Sequence, residues 1–202
     1  MSPRTKAQFE AMQDKTREKI LDAGLVLFAR KGLAATGVTE IAKEAGVSLG
    51  LLYHYYASKE ELFASLVGMA LQGSRDALKA YGESGEDAVE AIRKISRIAC
   101  GVLQRENKTA YYFLLLTQAG LQGISPEEQG KNLLSNEEAG APFSILESVV
   151  RAGQVQGTVK AGDPRQLAQL YWAAFQGLCL YKITMRSFMP PAPEQLDGIL
   201  LL

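Results

Sequence analysis

Apolar positions recur at helical spacing along nearly the whole chain. Over residues 15–31, Ile20, Gly24, Leu27 and Phe28 fall on one face, widened by Leu21 and Leu25. That spacing predicts an amphipathic helix, ended by Gly32. Residues 5–14 are polar but helix-compatible, so the helix has room to begin earlier. Thr36 is placed to cap a second helix running to Ala45, and Ser48 a third running to Tyr55. Ser58 with Glu61 is a capping-box pattern that opens a long helix from Lys59 towards Tyr81. After a break at YGESGED, 81–87, helix resumes from Asp87 to about Glu106 and again from about Thr109 to Gln122. Ser125-Pro126-Glu127-Glu128 marks another helix start. Later helices are predicted over Ala141–Gln156 and from Asp163-Pro164 to about Arg186, with MPPAP as a breaker and EQLDGILLL as a short last helix. There is no sustained two-residue alternation and no Asn-Gly turn, so strands are not expected. The pattern predicts an all-α protein of about nine to ten helices, with a small N-terminal domain at 14–60 and a larger helical domain at 61–202.

Length and composition change this picture little. The chain has 202 residues, 47% of them hydrophobic, enough for a real core. Its 22 basic and 22 acidic side chains leave no net charge, so any contact with nucleic acid must come from a local surface. Residues 1–31 carry a modest basic excess through Arg4, Lys6, Lys15, Arg17, Lys19, Arg30 and Lys31, although such runs are more often solvated helix faces. Arg4 and Lys6 are placed to reach a minor groove as an arm, with disorder of the terminus as the other reading. Cys100 and Cys179 lie far apart in apolar helical contexts without metal-ligand spacing, which reads as two buried thiols in a reducing cytosol. No metal and no cofactor are expected. There is no signal peptide and no long apolar run, so a cytoplasmic protein without a membrane partner is expected. One histidine, no glycine-rich phosphate loop and no nucleophile elbow argue against an enzyme. The apolar ending at Leu202 leaves open whether the native chain continues.

The most informative stretch is TEIAKEAGVSLGLLYHYYASK, residues 39–59. It reads as two short helices joined by a tight turn. Ala42 is small where the helices must cross, and Gly46 tolerates the positive φ a turn needs. Ile41, Ala45, Val47 and Leu52 have the spacing to pack the pair onto the first helix. Ser48, Leu49, Gly50, Leu51, Tyr53 and His54 remain on the outer face of the second, where a recognition helix meets base edges. Tyr53 and Tyr55 offer hydroxyls to phosphate, Thr36 and Ser48 offer helix N-termini, and Lys59 offers a charge. Leu49 and Leu51 offer only thymine-methyl contact or exclusion of water, so His54 is the polar candidate for readout. On spacing alone, a DNA-binding motif and an ordinary helical hairpin stand about even.

Residues 16–63 resemble the tetracycline-repressor (TetR) family of transcriptional regulators. AGVSLGLLYHYYASKEEL carries the most specific part, with its Gly-Val-Ser start, its Leu-Tyr-His-Tyr block and its Ser-Lys-Glu-Glu-Leu helix entry. The resemblance implies an all-α homodimer with an N-terminal three-helix helix-turn-helix domain and a C-terminal ligand-binding and dimerisation domain. Leu52 and Tyr56 would be core; Thr36, Ser48, Gly50, Tyr53, His54, Tyr55 and Lys59 would face DNA. Leu49 stands where the family usually carries a polar or basic residue. The implied function is a ligand-responsive regulator, a repressor released from a near-palindromic double-stranded DNA operator by a small-molecule effector of unknown identity. Residues 154–178 resemble the family's junction between its last two long helices, which form the dimer interface; Leu146, Val150, Leu167, Leu170, Tyr171, Ala174, Leu178 and Tyr181 are the candidates, with an internal core face as the alternative, and so much of the late helix is apolar that one of its sides is expected in the core and one at the partner. Tyr111, Tyr112, Phe113 and Thr117, opposite Trp172, Phe175 and Gln176, mix aromatic walls with polar groups as a ligand pocket does; plain core aromatics are the alternative. A helical small-molecule binder without DNA binding also fits the chain, and operator binding separates the two.

Overall fold

The computed structural model describes residues 6–82, 87–104, 107–121 and 136–202. Among them the chain forms nine α-helices and no β-ladder. Helix α1 (Lys6–Ala35) loses its helical path at Gly32, where φ is 75° and ψ 171°, a conformation that favours glycine. Beyond that break the structure departs from the expected cap. Helix α2 (Val38–Ala45) begins after Gly37 with no side-chain cap. The hydroxyl of Thr36 instead donates back to the Gly32 carbonyl at 2.7 Å, an acceptor left open by the end of α1. Helix α2 stops at Gly46, whose φ of 65° lets its N–H reach the Ala42 and Lys43 carbonyls. Helix α3 (Leu49–Tyr55) starts from Ser48, and α4 (Lys59–Gly82) from Ser58. At that second start Glu61 donates its N–H to Ser58 Oγ at 3.1 Å, while its carboxylate accepts the Ala57 N–H at 2.7 Å.

Ile20, Phe28, Ile41, Leu52, Leu62 and Leu66 are buried where these four helices meet. Phe28 and Phe63 pack edge to face at 5.2 Å. Helix α6 (Lys108–Leu121) adds Tyr111, Leu115 and Ala119 to the same core. Burial is therefore continuous across residue 60.

A second core gathers α5 (Ala88–Gln104), α7 (Asn136–Val155), α8 (Pro164–Thr184) and α9 (Pro193–Asp197) around Ile92, Leu146, Val150, Tyr171 and Cys179. Inside it the Ser96 and Tyr171 hydroxyls pair at 3.0 Å. Asp163 accepts the Arg165 and Gln166 amides at 2.8 and 3.0 Å ahead of Pro164, a strong helix start. The last residues return to an isolated antiparallel bridge between Val159 and Leu201. Lys160 N–H donates to the Leu200 carbonyl at 2.9 Å beside it. Helix α7 begins before the expected Ala141, whereas the helix start at Ser125 and the end at Gln122 lie outside the described residues. Cys100 and Cys179 are buried free thiols, and burial pushes Cys179 up to about 12. Among the described residues no helix is long and apolar enough to cross a membrane, and no His, Cys, Asp and Glu cluster has a metal-binding arrangement.

Candidate nucleic-acid interface

Two anchors set the phase of α3. Leu52 and Tyr56 are buried against the first core, so Ser48, Leu49, Gly50, Leu51, Tyr53 and His54 face outward. Leu49, Leu51 and Tyr53 are 40%, 39% and 48% exposed, and Ser48, Gly50 and His54 are exposed with them. Ser48 Oγ accepts the Leu51 N–H at 3.2 Å, which fixes the first turn. At Gly50 an added Cβ would meet nothing within 4 Å. Its lack of a side chain is not needed by the protomer's own packing and leaves room for a close approach from outside.

Tyr55 is half-buried. Its hydroxyl donates to the Gln13 carbonyl at 3.3 Å, tying α3 to α1, and its ring stands edge-on to His54 at 5.5 Å. Gln13, Asp14, Arg17, His54 and Tyr55 line a cleft of about 310 Å³ between the two helices. Arg17 is exposed there and joins the candidates as a residue that the sequence did not single out. Its only signal was the basic excess of residues 1–31.

Besides Tyr55, whose hydroxyl is taken by Gln13, two more of the residues expected to face DNA are turned inward. Thr36 is 1% exposed, with its hydroxyl on the Gly32 carbonyl and its N–H on that of Leu33. Lys59 Nζ donates to the Leu33 and Thr36 carbonyls at 2.9 and 3.0 Å. It sits where a cation best meets the open carbonyls at a helix C-terminus.

A separate cavity of about 320 Å³ lies between α4, α5 and α6, lined by Met69, Ala70, Gly73, Ile98, Val102, Thr109, Tyr112, Phe113 and Leu116. Of the expected pocket residues, Tyr112 and Phe113 line it. Tyr111 points the other way, into the first core, where its hydroxyl accepts from Arg30 at 2.8 Å and its ring lies 5.5 Å from the guanidinium. Thr117 donates to the Phe113 carbonyl at 3.1 Å, within its own helix. Trp172 and Phe175 pack behind the cavity wall, at 6.2 and 4.7 Å from the Phe113 ring, and Gln176 is half-buried on the same helix. Burial raises the Tyr112 hydroxyl above the usual tyrosine value.

The expected dimer residues split by helical phase. Leu146, Val150 and Tyr171 are enclosed in the protomer's own core, which corrects their expected place at a partner. Leu167, Ala174 and Leu178 are half-buried. Leu170 and Tyr181 remain 59% and 53% exposed, with Leu180 and Met185 beside them.

Residues 20–66 match the family model described as bacterial regulatory proteins, tetR family. The chain is similar to the uncharacterized HTH-type transcriptional regulator YerO of Bacillus subtilis, 32% identical over 118 residues, which is 57% of this chain and 39% of YerO. It is also similar to the HTH-type transcriptional repressor NicS of Pseudomonas putida, 26% identical over 145 residues, 71% of this chain and 66% of NicS. In both cases the match spans less than two thirds of the relative's length. A Saccharomonospora viridis regulator structure in complex with choline shares the fold, with a TM-score of 0.63 and 19% identity over 92% of this chain and 93% of that one.

Proposed function

We infer that this chain, whose residues 20–66 match the model of the tetR family of bacterial regulatory proteins, is a dimeric, DNA-binding transcriptional regulator of that family, a repressor released from its operator by a small-molecule effector. The observation that carries this reading is the α3 face from Ser48 to His54, capped, exposed and held in phase by Leu52 and Tyr56. In this reading residues 14–60 hold the DNA contacts, and residues 61–202 hold the effector and the partner protomer. Ser48, Tyr53 and Arg17 grip phosphate, Leu49 and Leu51 meet thymine methyls, Gly50 admits the DNA backbone, and His54 supplies polar readout. Two such faces related by a two-fold axis read a near-palindromic operator with half-sites about one helical turn apart or more. The names of similar proteins support the two finer points, NicS being a repressor and the Saccharomonospora viridis protein holding choline.

Release needs an effector that prefers a dimer geometry in which the recognition helices are mis-spaced. Helix α6 supports such a link. One of its faces lines the cavity through Tyr112 and Phe113. Another holds α1, through the Arg30–Tyr111 bond and a Lys108–Asp22 ion pair at 2.6 Å.

Fluorescence anisotropy with DNA from upstream of the chain's own locus tests the reading. One dimer per near-palindromic site is expected, with log affinity falling linearly against log salt. Tyr53→Phe should weaken binding by about 0.5–1.5 kcal/mol without changing the melting temperature. Absence of sequence-preferring binding at low salt would overturn the reading. It would favour a helical small-molecule binder without DNA binding, the reading that exposed Leu49 and Leu51 keep open.

A further inference from the structure

We propose that the cavity between α4, α5 and α6 takes an uncharged, hydrocarbon-rich molecule of about a dozen non-hydrogen atoms carrying one hydroxyl or carbonyl group. Its walls are apolar, with Met69, Ile98, Val102, Phe113 and Leu116 around the small Ala70 and Gly73. The side-chain polar groups of the lining are the hydroxyls of Thr109 and Tyr112. Each is both donor and acceptor, which matches one hydroxyl or carbonyl on the occupant. No charged side chain lines the cavity among the described residues. Lys108, next in sequence to Thr109, is held by Asp22 at 2.6 Å, and burial raises the Tyr112 hydroxyl above the usual tyrosine value. The cavity is open to solvent where Met69 and Ile98 are each 48% exposed, so an ion entering it would lose part of its hydration with no counter-charge in the lining to replace it. An organic cation gains little from the lining's two aromatic rings, because Tyr112 and Phe113 are neighbours on one helix and do not enclose a cation from several sides. Size follows from volume. An apolar cavity of about 150 Å³ holds one benzene ring, so about 320 Å³ admits roughly twice that many atoms.

The binding step stands on the cavity alone; its consequence for DNA rests on the function proposed above. The occupant sits between α4, which follows the recognition unit directly, and α6, which holds α1.

Isothermal titration calorimetry of the full chain at neutral pH with phenylbutanol, phenylbutanoate and phenylbutylammonium tests the ligand class. The three share a skeleton and differ in charge. The alcohol is expected to bind once per protomer, and both ions at least about tenfold more weakly. Either ion binding as tightly as the alcohol, or no binding of the alcohol up to its solubility limit, overturns the proposal. Gly73→Leu tests the place. A Cβ at Gly73 meets nothing within 4 Å and leucine is the better helix former, so the variant fills the cavity without straining the helix. It should lose about tenfold or more in alcohol affinity at an undiminished melting temperature; full retention of affinity overturns the site. Trp172, the single tryptophan, lies against Phe113 and gives an independent readout in the unmodified protein. Its emission should change in step with the calorimetric saturation, and no change at saturation counts against this cavity. If the alcohol binds but operator DNA stays bound at saturation, the effector role falls and the ligand class stands.

Discussion

Lys59 and Arg17 are both basic residues beside the recognition helix, yet they do different work. Lys59 spends its ammonium on the carbonyls of Leu33 and Thr36 at the end of α1, whereas Arg17 is exposed in the cleft with His54. Lys59→Met should lower stability by about 1–2 kcal/mol through the lost cap. Arg17→Met should leave the melting temperature unchanged and reduce the salt slope of operator binding by about one. Calorimetry and an anisotropy salt series read the two outcomes. Asp197 is a different case. It is buried on α9, and burial, with Glu194 nearby, raises it above the ordinary value of 3.8. The folded chain thus holds this proton more tightly than the unfolded chain does. The protonated carboxyl contributes fully below that ordinary value, and its contribution is lost as pH rises through the raised folded value. Asp197→Asn should therefore raise the melting temperature near neutral pH and leave it nearly unchanged at about pH 3. An equal shift at both pH values would show that charge is not the cause.

At the scale of the element, two helical glycines make opposite predictions. Gly153 on α7 faces the strand-like return of the chain. A Cβ there would overlap Val159 Cγ2 and lie 3.1 Å from Ala88 Cβ. Valine is stiff at χ1, and Val159 is held by its bridge to Leu201, so the overlap is not relieved by a small rotation. Gly153→Ala should cost about 1–3 kcal/mol despite the gain in helix propensity. Gly101 on α5 has nothing within 4 Å of an added Cβ. Gly101→Ala should stabilise by about 0.5–1 kcal/mol. Denaturant unfolding of the two variants checks the signs. Helix α6 shows the other use of an element with two apolar faces, since adjacent residues serve different neighbours. Tyr111 is buried in the first core, and Tyr112, packed at the edge of that core, also lines the cavity.

For the whole molecule, the exposed apolar residues of α8 are the feature that a single protomer does not explain. Leu170, Leu180, Tyr181 and Met185 are all exposed on or just past this helix, while Tyr171, Phe175 and Cys179 fill the core from its other side. Leu170→Asp together with Tyr181→Asp should shift the protein from dimer to monomer in sedimentation velocity, because charged groups in an apolar contact lose hydration without a partner. Operator affinity should fall with it, since a single recognition helix reads only one half-site. A variant that stays dimeric would place the partner contact elsewhere.

The sequence by itself determined the helical elements and most of their ends. Those signals act over a few residues: Gly32 and Gly46 at positive φ, Ser48 and Ser58 at helix starts, Asp163 before Pro164. It also determined the outward face of α3, because the spacing of Leu52 and Tyr56 leaves that short helix one orientation. Tertiary structure alone decided what each ambiguous side chain does. Thr36 and Lys59 look available to DNA in sequence, but the broken end of α1 places open carbonyls within their reach. Leu146 and Val150 on α7 and Tyr171 on α8 are apolar at helical spacing, as Leu170 and Tyr181 are, yet the first three are enclosed in the protomer's core and the last two are exposed. The cavity draws on three consecutive helices whose packing, not their local sequence, sets the space between them. The physical reason is common to all three. A helix that is apolar on more than one face has no preferred neighbour of its own, and an unpaired polar group takes the partner that folding brings within reach.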